Sequence, residues 1–119
     1  MLNIFSSSRF KINRQTIKNL AGVLFSKYNI PSNAEINLIF IGKKKMKTIS
    51  KDYKKVNVAL PVLTFSYLDR MYPDENNKTF AEIFICYPQA VLLAAEREKR
   101  VDNIISQLIT HGVENIIKN

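Results

Sequence analysis

The chain has 119 residues, and eighteen Lys and Arg against ten Asp and Glu give it a formal charge of +8. That length suits one domain able to bury about two-thirds of its unfolded surface, and the single cysteine, Cys86, excludes an intramolecular disulfide and favours a reducing compartment. Residues 1–9 lack the charged and apolar regions of an export signal, and no apolar run approaches the roughly 20 residues of a membrane helix, so the expectation is a cytoplasmic protein with no membrane partner.

Leu2–Phe5 is a short apolar run that predicts a strand. Asn13 is placed to cap a helix over residues 14–28, where Ile17, Leu20, Ala21, Leu24, Phe25 and Tyr28 recur at helical spacing. Pro31-Ser32-Asn33 breaks that pattern. Glu35–Ile41, rich in β-branched and aromatic side chains, predicts a second strand ended by Gly42. Residues 43–53 follow as a helix with Met46, Ile49 and Tyr53 as its inward stripe.

Residues 61–67 predict a third strand, 68–79 a polar exposed connection, and 80–87 a fourth strand. Pro88 suits the first turn of a helix reaching about Arg97. A last helix over residues 100–118 would bury Val101, Ile104, Ile105, Leu108, Gly112 and Ile116. This order predicts an α+β fold, a single domain over residues 1–119 with a four-stranded mixed sheet packed against about four helices.

Distribution sharpens the meaning of the charge. Lys43, Lys44, Lys45, Lys47, Lys51, Lys54 and Lys55 stand within thirteen residues, opposed only by Asp52. Such a cluster binds phosphates by releasing counterions, with little sequence preference; the plainer explanation is a solvated helix face. Among the aromatics, Tyr67, Tyr72, Tyr87, Phe65 and Phe80 are formal base-stacking groups. Phe65 and Phe84 fit the core better, which leaves Tyr72 as the one nominated for a base. Cys86 is expected to act as a small buried hydrophobe rather than a nucleophile.

His111, the only histidine, follows Leu108 by three residues and Ile104 by seven, which places it on their face. A lone histidine there is more often a satisfied structural residue than a ligand. Its surroundings, Thr110-His111-Gly112-Val113-Glu114-Asn115, resemble the signature of the YbeY family of rRNA-maturation endoribonucleases. In that signature a histidine–glycine pair is followed by a second histidine four residues on and a third six residues later. Two imidazoles one helical turn apart, with a third from the following loop, make a three-nitrogen zinc site with one open position. Upstream, Tyr53-Lys54 and Val62-Leu63-Thr64-Phe65 resemble the family's Tyr-Arg element and Val-Leu-Ser-Phe strand. Ala81-Glu82-Ile83-Phe84-Ile85-Cys86 resembles its Gly-Asp-Ile strand.

The resemblance implies a YbeY-like metalloprotein fold and metal-dependent cleavage of single-stranded RNA, in ribosomal RNA processing and ribosome quality control. It implies zinc as cofactor and ribosomal RNA or the ribosome as partner. It makes His111 a metal ligand and catalytic residue, Lys54 a second catalytic residue, and the lysines of residues 43–55 the RNA-binding set, with substrate between the last helix and the sheet. The departures are specific. Asn115 stands at the second ligand position, the third falls two residues past Asn119, Lys54 replaces an arginine, and Leu60-Pro61 replaces threonine followed by aspartate or asparagine. Glu114 is the nearest substitute ligand, with Glu82, Asp102 and Cys86 as further donors. Two alternatives follow: an RNA- or ribosome-binding module that kept the fold and lost the zinc site, and a partner or second copy that supplies the missing ligands.

Overall fold

Strands form where runs of β-branched and aromatic side chains lie between turn residues, and helices where apolar residues recur every three or four positions. The computed structural model describes residues 1–67 and 79–118. In chain order the elements are β1 (Leu2–Phe5), α1 (Arg14–Lys27), β2 (Glu35–Ile41), α2 (Lys43–Lys54), β3 (Val62–Ser66), β4 (Thr79–Cys86), α3 (Tyr87–Glu96) and α4 (Val101–Lys118). The sheet order is β1-β2-β4-β3; β1 and β4 run parallel to β2, and β3 runs antiparallel to β4. The predicted mixed sheet with four helices is therefore present. Most of the expected connection 68–79, Tyr72 included, lies outside the described residues.

Element boundaries differ from the sequence expectation by about one residue, and two of the differences have a plain cause. Pro61 cannot donate to the sheet, so β3 begins at Val62, while the Pro61 carbonyl still accepts from the Cys86 N–H at 3.0 Å. Tyr87 opens α3 instead of closing β4, because extended Cys86 is the N-cap and Pro88 occupies the first turn.

Strand alternation divides the molecule into two layers. Ile36, Leu38 and Phe40 of β2 and Ala81, Ile83 and Ile85 of β4 face one side. There they join Ile17 and Leu24 of α1, Ala90 and Ala94 of α3, and Ile104, Ile105, Ile109, Val113 and Ile116 of α4 in the main core. Ile41, Leu63 and Cys86 face the other side, where they meet Met46 of α2 and Ala59. Ile39, Phe65 and Phe84 extend that smaller cluster. Thus α1, α3 and α4 share one face, and α2 lies on the opposite one.

Helix ends are set by hydrogen-bonding chemistry. Asn13 caps α1 by accepting from the Thr16 N–H at 3.0 Å. The same helix ends in a Schellman turn, with the Ile30 N–H donating to the Phe25 carbonyl at 2.9 Å and Asn29 left-handed at φ 54°. A matching turn ends α3, where the Lys99 N–H donates to the Ala94 carbonyl at 2.9 Å and Glu98 takes φ 53°. Asparagine tolerates this conformation, but the Cβ of glutamate strains it. Exposed Glu98 is therefore a site where glycine should help: Glu98→Gly is expected to stabilise the protein by about 0.5–1 kcal/mol, measured as a higher urea midpoint.

Candidate functional site

Helix α2 collects the charge of the chain. Met46 and Ser50 are fully buried beneath it, while Lys43, Lys44, Lys45, Lys47, Lys51 and Lys54 are all exposed, as is Lys55 at its C-cap. Lys43, Lys44 and Lys45 fill the first turn, which has no acidic residue, and the N-cap Gly42 supplies no side-chain hydrogen bond. Three cations thus sit at the positive end of a helix dipole, an arrangement costing about 0.3–1 kcal/mol per charge. Free N–H groups and lysines point to one kind of partner here, an anion.

Tyr53 departs from its expected inward position. It is 66 % exposed, and the small Ser50 occupies the inward place, its Oγ accepting from the Leu60 N–H at 3.5 Å. The Tyr53 ring leans edge-on to Phe65, with centroids 5.0 Å apart, and Phe65 meets Phe84 edge-on at 5.7 Å. Phe65 and Phe84, expected in the core, are half-buried at the margin of the α2 cluster. The hydroxyl of Tyr67 donates to the Glu82 carboxylate on this same sheet face.

His111 also departs from expectation. It is exposed, not part of the buried stripe, because the inward face of α4 runs through Ile105, Ile109, Gly112, Val113 and Ile116. The imidazole borders an open depression of about 370 Å³ with Ser106, Gln107, Thr110 and Glu114. At Gly112 the helix lies so close that an added Cβ would stand 3.0 Å from Ile83 Cγ2 and 3.2 Å from Thr64 Cγ2. The glycine of the His-Gly pair thereby lets α4 seat on the sheet while its neighbour faces water.

The donors near His111 are few. Glu114 lies beside it but accepts a hydrogen bond from the Tyr28 hydroxyl at 3.1 Å, which ties α4 to the end of α1. Asn115 is half-buried. Asp102 lies at the opposite end of α4, about 13 Å away along the axis. Glu82 and Cys86 face α2 across the sheet. Burial pushes the Cys86 thiol above its usual range, against a smaller lowering by the Gln89 backbone N–H and Lys43. It is therefore a protonated core group rather than a thiolate. Among the described residues, no three His, Cys, Asp or Glu side chains gather as a metal site. Zinc sites use three or four protein ligands, so the donor set around His111 does not fit a tightly held zinc ion.

Six of the seven lysines lie on α2 and the seventh, Lys55, at its C-cap, whereas His111, Glu114 and Asn115 belong to α4, on the other layer. Lys54 and His111 therefore lie on helices covering opposite faces of the sheet.

A family model described as Endoribonuclease YbeY matches residues 4–114. The chain belongs to that family. The match includes His111 and ends one residue before Asn115. The endoribonuclease YbeY of Phytoplasma australiense is 29 % identical over 111 residues, covering 93 % of this chain and 74 % of that protein. That of Janthinobacterium sp. (strain Marseille) is 34 % identical over 80 residues, covering 67 % of this chain and 51 % of the relative. The solution structure of TM1509 from Thermotoga maritima superposes with a TM-score of 0.61 at 18 % identity, covering 98 % of this chain and 72 % of that one. It is a match of fold. Membership of the YbeY family supports an RNA-processing nuclease role, and no helix among the described residues is long and apolar enough to cross a membrane.

Proposed function

We propose that this chain is an rRNA-maturation factor of the cytoplasm that grips single-stranded RNA through the lysines of α2 and cuts it at a centre that includes His111. One observation carries the binding half of this reading: three lysines are stacked on the positive end of α2, where they cost stability unless an anion is present. Family membership supports RNA as that polyanion, and the ribosome is where such a substrate would be met. Lys54, at the position of the family's arginine, retains charge without the bidentate fork.

A second reading, binding without cleavage, is favoured by Asn115 at the second ligand position and by the sparse donors around His111. Zinc is the metal the family resemblance suggests, and the residues described do not complete its shell.

One experiment separates the readings: cleavage of a single-stranded rRNA fragment in chelator and in added zinc, with metal content measured alongside. The first expects metal-dependent cleavage lost in His111→Ala, a change that should leave folding intact because the side chain is exposed. The second expects RNA binding with neither stoichiometric metal nor cleavage. A protein that neither binds nor cuts RNA would sink both.

A further inference from the structure

An exposed aromatic on a helix whose apolar spacing turns it inward needs an explanation. Met46 and Ser50 fill the space beneath α2, and Tyr53 is left 66 % exposed, in a stretch that also exposes Val56 and Val58. The Tyr53 ring is nonetheless not loose. It rests edge-on against Phe65 at 77°, and Phe65 rests edge-on against Phe84 at 90°. This chain of rings fixes the direction of an aromatic that water still reaches, so little ordering is left for a ligand to impose.

Charge says what that ligand is. Lys51, Lys54 and Lys55 fall at i, i+3 and i+4 and are all exposed. Beside them lies an open depression of about 500 Å³ lined by Lys51, Asp52, Lys55 and Asn57. A bare, braced ring and a cationic ridge carried on the same turn of α2, with Lys54 about 100° round the helix from the ring, match the two parts of a nucleotide strand, a flat base and an anionic backbone. A duplex keeps its bases stacked inside and would use only the ridge.

We infer that Tyr53 is a stacking platform for one base of single-stranded RNA, with the neighbouring phosphates held by Lys51, Lys54 and Lys55. This rests on the RNA-binding half of the proposed function and adds to it a residue and the way in which an unpaired base is held. Tyr53 binds here without contacting any reacting atom.

The test is equilibrium binding of a 12-nucleotide oligoadenylate and of a duplex RNA of equal length to the full chain, over a range of salt. Tyr53→Ala is expected to weaken oligoadenylate binding about 10- to 100-fold while leaving the salt slope and the duplex affinity unchanged. Tyr53→Phe should bind within about twofold of the native protein, since the face of the ring is what stacks. A joint Lys51, Lys54 and Lys55→Gln variant should instead flatten the salt slope on both probes. Native-level oligoadenylate binding by Tyr53→Ala, or an equal loss on the duplex, overturns the platform and leaves the proposed function standing. Failure of the native protein to bind either probe overturns both. A native dimer that Tyr53→Ala makes monomeric, by sedimentation, would show the ring to be a self-association contact and overturn the platform.

Discussion

Exchanging Lys43, Lys44, Lys45 and Lys47 for glutamine should weaken single-stranded RNA binding on the order of 100-fold at 0.15 M salt. Each lost phosphate contact removes about 0.7 from the logarithmic salt slope of a single strand, so four contacts remove about 3. The same variant should be more stable than the native protein by about 1 kcal/mol. Three of the four charges occupy the first turn of α2, where the helix dipole opposes them. Weaker binding together with higher stability is the discriminating pattern. Lysines serving only as a solvated face would give the second effect without the first. Filter binding over a salt series and urea unfolding of the same preparations measure both.

Ile83→Ala is expected to cost about 3–4 kcal/mol. Ile83 is fully buried at the centre of β4, beside Leu38 of β2 and beneath α4, and truncation there removes apolar contact and leaves a cavity. Its Cγ2 and Cδ1 also stand 3.0 and 3.2 Å from where a Cβ on Gly112 would sit, with Thr64 Cγ2 likewise at 3.2 Å. Gly112→Ala should therefore be worth more in the Ile83→Ala background than in the native one. There alanine gains its helix propensity of about 1 kcal/mol without pushing on the isoleucine. A double-mutant cycle by urea denaturation measures the coupling, expected to exceed about 0.5 kcal/mol. Simple additivity would mean that the helix shifts instead of being held.

Much of this architecture could be read from residue order. Asn13 before an apolar stripe, Glu35–Ile41 between Asn33 and Gly42, and Pro88 after an apolar strand each carry local signals that tertiary structure did not override. The lysine helix was equally plain. What misled was rotation about a helix axis. In α4, apolar residues occupy Leu108 and Ile109, then Val113, then Ile116 and Ile117, a stripe broad enough to accept two centres. Hydropathy favoured the one containing Leu108, whereas the helix turns about one position further, onto Ile109 and Val113. Gly112 belongs to either stripe and seats α4 against Ile83 by having no side chain there, while the buried residues that the expected stripe left out are Ile109 and Val113. His111 is carried outward as a result.

Tyr53 was missed for a related reason. Spacing placed it beside Met46 and Ile49, but Ser50 is the buried residue of that turn, and the phenol lies edge-on against Phe65 at the margin. The separation of the lysines from His111 could not be read from local pattern at all. It follows from strand order and parity in the sheet, which put α2 and α4 on opposite faces.

The parallel pairings also set how this chain must fold. Leu2 pairs with Ile36, and Ile36 with Ala81, so neither parallel ladder can be built by closing a tight turn. Each must wait until a long intervening segment has been gathered in, which incurs loop-closure entropy before any ladder bond offsets it. The antiparallel contact of β3 with β4 joins neighbours in the chain and is the better placed to nucleate, with β2 then docking along β4. On that order β1, held in the sheet by β2 alone, is the last strand to gain its partner and the first to surrender it, so its amides should exchange with solvent ahead of those of β2 and β4.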